Sequence, residues 1–362
     1  MRVLFINRDS FDEVKGGDTV QMKCTANELK KLGVEIDIYS KKNGSIEYEN
    51  YDLIHFYNIT RPAELLAHSH KTNTPIVVST IFVDYSFYKN LPQQSTRKWI
   101  TKILGSYGIE YAKALAKHIL RKEKLSYKKY FVLGQRKSIS KILSQVNWLL
   151  PNSENEYQRF IKKHPNSLPY TIIPNGVDIN KFSINLNIDR KPKQVLCVAM
   201  IEPRKNQLNL IKALNNTDYN LIILGNHTPN HASYYKLCQN EAAENISFLS
   251  RVSMSRLNEL YLESEIHILP SWFETTGLVS LEAAYLGCKI VVSPEGDTKD
   301  YFKNLAKYCN PGSIESIRNS IDEAHKMEYT DELRTLVLNE YNWQQAAKKT
   351  HQVYKEILNK KG

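Results

Sequence analysis

The sequence lacks the features that would fix several chemistries at once. Its five cysteines, Cys24, Cys197, Cys238, Cys288 and Cys309, are odd in number and widely spaced, with no C-x-x-C. That argues against a disulfide scaffold or a cysteine zinc site, and fits small buried hydrophobes in a reducing compartment. The ten histidines include no H-E-x-x-H, and no Asp-x-Asp pair occurs. Metal is therefore not expected, either as a zincin site or as a clamp held by paired aspartates. No apolar run approaches the roughly 20 residues that span a bilayer. The opening residues, MRVLFINRDS, lack the long apolar stretch of a secretory leader and read as a first buried strand. The expectation is a cytoplasmic protein. No RNP, zinc-finger or arginine-rich motif is present, so nucleic acid is not expected as a partner.

What is present suits a globular chain. At 362 residues it exceeds what one hydrophobic core organises, and 42% hydrophobic with 24% charged residues is an ordinary soluble composition. The net charge of +11 is unevenly placed: Arg97–Lys141 holds thirteen Lys/Arg against Glu110 and Glu123, which is the whole excess. Trp99, Ile103, Leu104, Tyr107, Leu115, Ile119 and Leu120 interleave with those charges. Such a stretch suits an amphipathic helix on an anionic membrane surface, and equally a solvated helical face.

Short β-branched runs alternate with amphipathic segments along the chain. Val3–Ile6, Val34–Tyr39, Asp52–Phe56, Pro75–Thr80 and Trp148–Ser153 read as strands of one parallel sheet covered on both faces. Asp18 or Thr19 is placed to cap a helix through Lys31. After a strand and an Asn-Gly turn at Thr171–Asp178, a second series starts: Gln194–Ala199, Asn220–Gly225, Ile246–Leu249, Ile266–Pro270 and Lys289–Ser293. Trp343–Leu358 has helical spacing. The fold class is α/β, with two Rossmann-like doubly wound domains facing a cleft, and ligands beyond the carboxyl ends of the strands. A dinucleotide oxidoreductase is disfavoured, because the first turn carries only Gly16-Gly17 and no G-x-G-x-x-G.

Chemistry concentrates in Pro270–Ser293. A strand ends at Pro270, a loop carries Glu274, and Gly277 opens a helix containing Glu282. The free amides at a helix start suit a diphosphate, and carboxylates are strong acceptors for paired sugar hydroxyls. Spacing alone leaves open a solvent-facing Glu282 and a merely capping Glu274. Glu274-x₇-Glu282, with Pro270-Ser271 before it and Gly287 after it, resembles the donor signature of retaining glycosyltransferase family 4, within the GT-B glycosyl transferases group 1. Gly16-Gly17, Pro151-Asn152-Ser153, Pro174–Asp178 and Glu202-Pro203-Arg204-Lys205-Asn206 fall in that family's order.

The resemblance implies a division into an acceptor domain, 1–168, and a nucleotide-sugar domain, 169–344, with a C-terminal helix, about 345–362, returning to the first. It implies transfer of a hexose-type sugar from a UDP- or GDP-sugar to a glycan or lipid-linked acceptor, with retention and without a metal or other cofactor. Surface-polysaccharide synthesis at the cytoplasmic membrane face is the setting it suggests; a catalytically silent GT-B subunit is the alternative. Glu282 is implied to bind the ribose, Glu274 to sit by the transferred sugar, and Lys205 to neutralise the leaving diphosphate. Gly277, Leu278 and Val279 offer amides, Gly16 and Gly17 permit close approach to phosphates, and Arg251-Val252 meet the base. Two departures stand out. Ala199-Met200 occupies the family's Gly-Arg position, leaving Arg204 as the substitute cation. Ile81–Tyr85 lacks the family histidine, which makes Asp84 and Tyr85 acceptor candidates beside His55 and Asn58.

Overall fold

The structure is a computed structural model describing residues 1–8, 16–40, 45–83, 111, 127, 129–184 and 188–360. Asp84, Tyr85 and most of the basic stretch before Lys129 lie outside the described residues. Two compact units divide the chain. One runs to Asn175 and takes in Trp343 onward; the other is Gly176–Asn342.

The first unit comprises β1 (Arg2–Ile6), α1 (Gly17–Lys31), β2 (Glu35–Ile38), β3 (Leu53–Tyr57), α2 (Pro62–Ser69), β4 (Ile76–Ser79), α3 (Tyr130–Leu143), β5 (Trp148–Leu150) and α4 (Glu154–Lys163). Its sheet is parallel throughout, in the order β2-β1-β3-β4-β5. Every residue of β3 and β4 is buried, as expected for strands covered by helices on both faces. The order reverses between β1 and β3, and the carboxyl ends of those strands form a topological switch point.

The second unit comprises β6 (Lys191–Val198), α5 (Gln207–Leu214), β7 (Asn220–Leu224), α6 (Ala232–Glu241), β8 (Ile246–Leu249), α7 (Met254–Glu263), β9 (Ser264–Leu269), α8 (Leu278–Tyr285), β10 (Lys289–Val292), α9 (Thr298–Phe302), β11 (Lys307–Tyr308), α10 (Ile314–Lys326) and α11 (Glu332–Glu340). The parallel order is β11-β10-β9-β6-β7-β8, with its switch point between β6 and β9. Alternation along the strands feeds two cores. Leu196, Leu224, Leu269 and Val292 face one layer, while Val195, Cys197, Ile223, Ile266 and Ile268 face the other.

The last helix, α12 (Trp343–Asn359), belongs to the first unit and packs on α1. Its buried stripe is Ala346, Ala347, Thr350, Val353, Tyr354 and Ile357, at the spacing of one helix face.

Two local expectations need correction. Thr171–Ile173 is not a strand: Pro151 has no N–H to return to the Thr171 carbonyl, so the segment keeps one isolated bridge, Leu149 with Tyr170, and backbone bonds from Thr171 and Ile173 to the Leu149 and Pro151 carbonyls at 3.0 and 2.9 Å. And α1 starts at Gly17 with Gly16 as its N-cap, not Asp18 or Thr19; the Asp18 carboxylate instead pairs with Arg8 at 3.1 Å. Among the described residues no helix is long and apolar enough to cross a membrane.

Candidate donor site

The β6/β9 switch point of the second unit gathers the sharpest sequence motifs. After β6 the chain passes Met200 and makes one tight turn, Pro203–Lys205, closed by Asn206 in the left-handed region (φ 62°). Asparagine tolerates that conformation, and here its side chain also works. Asn206 Nδ2 donates to the carbonyls of Pro270 and Pro311 at 3.1 and 2.8 Å, while Trp272 N–H donates to the Arg204 carbonyl at 2.9 Å. The loop after β6 is thereby pinned to the loop after β9.

That pinning sets Lys205 against Glu274. Lys205 Nζ bonds to Glu274 Oε2, and both side chains are nearly buried, 12% and 10% exposed. Ser271 Oγ donates to the same oxygen at 3.3 Å, and Arg204 Nη1 lies 3.9 Å from it. Burial works to raise the Glu274 carboxyl, but Lys205 and Arg204 outweigh it and hold the group below its ordinary range. Burial lowers the Lys205 ammonium more than Glu274 raises it. Removing one partner strands the other's charge, a loss of about 3–5 kcal/mol for buried pairs.

The Glu274 backbone is fixed as firmly. Its N–H donates to Glu295 and its carbonyl accepts from Asp297, both at 2.9 Å. Between them Gly296 sits at φ 107°, where an added Cβ would fall 2.0 Å from the Glu274 carbonyl oxygen. Gly277, at φ 68°, turns the chain into α8 with no side-chain cap. The first-turn amides of Leu278 and Val279 are among those a helix leaves without internal acceptors, and the helix dipole favours an anion there.

Glu282 is one turn further, on the face of Leu278. It is partly buried, accepts a 3.1 Å bond from Tyr261 Oη and has no ion pair among the described residues. Burial pushes its carboxyl up to about 7. Val252, after β8, is part-buried against the adjoining core.

Arg204 does not extend free into the site. Its Nε and Nη2 donate to Glu202 Oε1 at 3.1 and 2.8 Å, and Nη1 donates to the Phe273 carbonyl at 3.2 Å. Met200 is 46% exposed and brings no charge.

The first unit's switch point holds Gly16, Gly17 and Asn58. A Cβ on Gly16 would lie 2.7 Å from Asp18 Oδ1 and 3.0 Å from Arg8 Nη2, so the backbone approaches that pair closely. Asn58, at φ 70°, donates to Asp18 Oδ2 at 3.2 Å. His55 is a correction. It is 1% exposed and both ring nitrogens are engaged, Nδ1 with Tyr354 Oη at 2.6 Å and Nε2 with Ser79 Oγ at 2.9 Å. Burial depresses it to about 3. It fastens α12 to β3 and is no acceptor-facing group. Sequence reasoning gave no role to Ser271, Asn206, Tyr261 or Arg8, although Ser271 and Asn206 stand inside the motifs quoted for the resemblance; Tyr261 and Arg8 carried no signal.

Residues 178–352 match the family model described as glycosyl transferases group 1. That stretch is a glycosyl transferases group 1 domain. Over the full length of both chains the protein is 23% identical to an uncharacterised glycosyltransferase of Methanocaldococcus jannaschii. It is 24% identical to a GDP-mannose-dependent phosphatidylinositol monomannoside mannosyltransferase of Corynebacterium glutamicum, over 45% of this chain and 48% of that one. Among solved structures, sucrose-phosphate synthase from Thermosynechococcus elongatus superposes with TM-score 0.73 at 14% identity, covering 99% of this chain and all of that one. Anabaena HepE bound to UDP superposes with TM-score 0.71 at 12% identity, covering 98% and 100%. The fold is therefore that of the GT-B glycosyltransferases, two parallel-sheet α/β domains.

Proposed function

We propose that the chain is a retaining, metal-independent hexosyltransferase that moves a sugar from a UDP- or GDP-sugar to a glycan or lipid-linked acceptor. The observation that carries the reading is the buried Lys205–Glu274 pair beside the uncapped start of α8. The α8 amides hold a diphosphate, and Lys205 neutralises it as the glycosidic bond breaks, where preorganised charge counts most. Glu274 keeps the ammonium aimed and meets sugar hydroxyls. Glu282 takes the ribose hydroxyls, and Arg204 is the second cation in place of the one absent at Met200. Both sets of nucleotide-bearing relatives favour this donor class: HepE is described with UDP, and the Corynebacterium protein as GDP-mannose-dependent. The basic stretch 97–141 suits an acceptor at an anionic, cytoplasmic membrane face.

Release of free nucleotide from a panel of UDP- and GDP-sugars tests the reading. Lys205→Ala and Glu274→Ala are expected to abolish it. Failure of every donor nucleotide to bind in calorimetry would reject it.

A further inference from the structure

A cavity of about 390 Å³ opens at the amino-terminal edge of the first sheet, between the starts of β4 and β5 and the end of α12. Thr72 and Asn73 line it before β4, Gln145 and Asn147 before β5, and Lys360 after α12. The switch point between β1 and β3 lies at the other end of these parallel strands, about 10 Å or more away along β4. The cavity has the size of small-molecule sites. Among the described residues no acid lines it.

The lining offers hydrogen-bond donors in excess. Asn147 is oriented by the sheet: its Oδ1 accepts from the Ile76 N–H and its own N–H donates to the Ile76 carbonyl, both at 2.8 Å. That fixes the carboxamide and leaves its Nδ2 to offer. Thr72 Oγ1 accepts from the Thr74 N–H at 2.9 Å, so the hydroxyl proton remains to be given. The Asn73 and Gln145 carboxamides are exposed and make no hydrogen bond among the described residues. Lys360 is the one charged residue of the lining. Its Nζ stands 5.1 Å from the centre of the Trp148 ring and has no ion pair among the described residues. The acid one turn back on α12, Glu356, accepts from Gln352 at 3.1 Å instead. An ammonium resting on a neutral aromatic face keeps its charge for a further partner.

We propose that this cavity binds a carboxylate-bearing sugar, with the carboxylate on Lys360 and the ring hydroxyls on the carboxamides of Asn73, Gln145 and Asn147. A single ammonium matches one negative charge, whereas a phosphate ester carries more than one and favours a guanidinium fork. Carboxamides donate and accept as sugar hydroxyls do, so three of them around one cation select a hydroxylated acid over a plain one. All of these residues belong to the first unit, and the site does not rest on the transferase reading. The sugar acid is either free or one residue of a glycan, and the same contacts serve both.

The test is calorimetry on the full chain with two hexuronates, galacturonate and glucuronate, and with trigalacturonate, galactose and acetate as the other probes. A hexuronate is expected to bind saturably, about tenfold or more tighter than galactose or acetate. Lys360→Gln should remove the advantage over galactose, and Asn73→Ala with Gln145→Ala the advantage over acetate. The control, Lys355→Ala, takes an exposed charge from α12 outside the lining and should change neither. Tighter binding of the free hexuronate supports a soluble sugar acid, and tighter binding of trigalacturonate supports a glycan. Equal loss in Lys355→Ala and Lys360→Gln means diffuse surface charge and overturns the proposal. Acetate binding as tightly as a hexuronate overturns it too, as do displacement of the hexuronate by UDP or GDP and binding of no sugar acid.

Discussion

Glu282 is the residue on which sequence and structure meet most sharply. A carboxyl pushed up to about 7 by burial is half-protonated near neutral pH, and Tyr261 pulls it down only in part. Ribose hydroxyls donate to the ionised form, so a bound nucleotide competes with that proton. The affinity of UDP or GDP should therefore fall about tenfold between pH 8 and pH 6, the change in the ionised fraction of a group titrating near 7. In Glu282→Gln the affinity should be lower and independent of pH over the same range. The stability sign is opposite to that of a paired carboxylate. Because the folded value lies above the unfolded one, about 4.3, this group's contribution is full below that pH and lost as pH rises through about 7. Glu282→Gln should then melt higher than the parent at pH 8 in the absence of nucleotide. Calorimetry and melts across pH check both, and a flat nucleotide affinity in the parent from pH 6 to 8 would reject the ribose role.

At the scale of elements, the docking of α12 shows what a pattern reveals and what it hides. The apolar spacing from Trp343 onward was enough to read a helix, and Ile246–Leu249 was legible to the residue because a short apolar run between turns has few alternatives. The partner of α12 was not legible from spacing, since periodicity marks a buried face without saying against what. The deciding contact is Tyr354 with His55, separated by 299 residues, and a histidine on a strand reads the same whether it faces a ligand or a tyrosine. Likewise Glu274 and Glu282 stood out through the resemblance, spacing alone leaving their roles open, while no role was legible for the Ser271 and Tyr261 hydroxyls that hold them. Tyr354→Phe should leave His55 Nδ1 buried without its partner and cost about 1–3 kcal/mol, the usual loss for an orphaned buried polar group. Hydrogen exchange should speed up in α12 and in α1 beneath it, while the β6–β11 sheet keeps its protection. Unchanged exchange in α12 would show that apolar packing alone seats the helix.

Over the whole molecule, two independent sheets have two different orders, and each carries its own core. The Lys205–Glu274 pair, the α8 start and Glu282 all belong to the second unit. A nucleotide held by them binds the folded second unit and not its unfolded chain. It therefore stabilises that unit by mass action, about 2.7 kcal/mol at a hundred times the dissociation constant. The first unit carries none of these groups. Exchange measured on the full chain with and without UDP or GDP should then show protection spreading from 199–206 and 270–282 into β6, β9 and α8. The β2–β5 edge of the first sheet should be unchanged. The buried pair sharpens the expected pattern, because Lys205→Ala leaves the Glu274 charge only the 3.9 Å contact with Arg204 and the Ser271 hydroxyl, which loosens the same loops before any ligand arrives. Its exchange should rise in 270–277 even without nucleotide, and added nucleotide should restore little. Protection appearing chiefly in the first sheet would place the donor there and overturn the assignment of the β6/β9 switch point as its site.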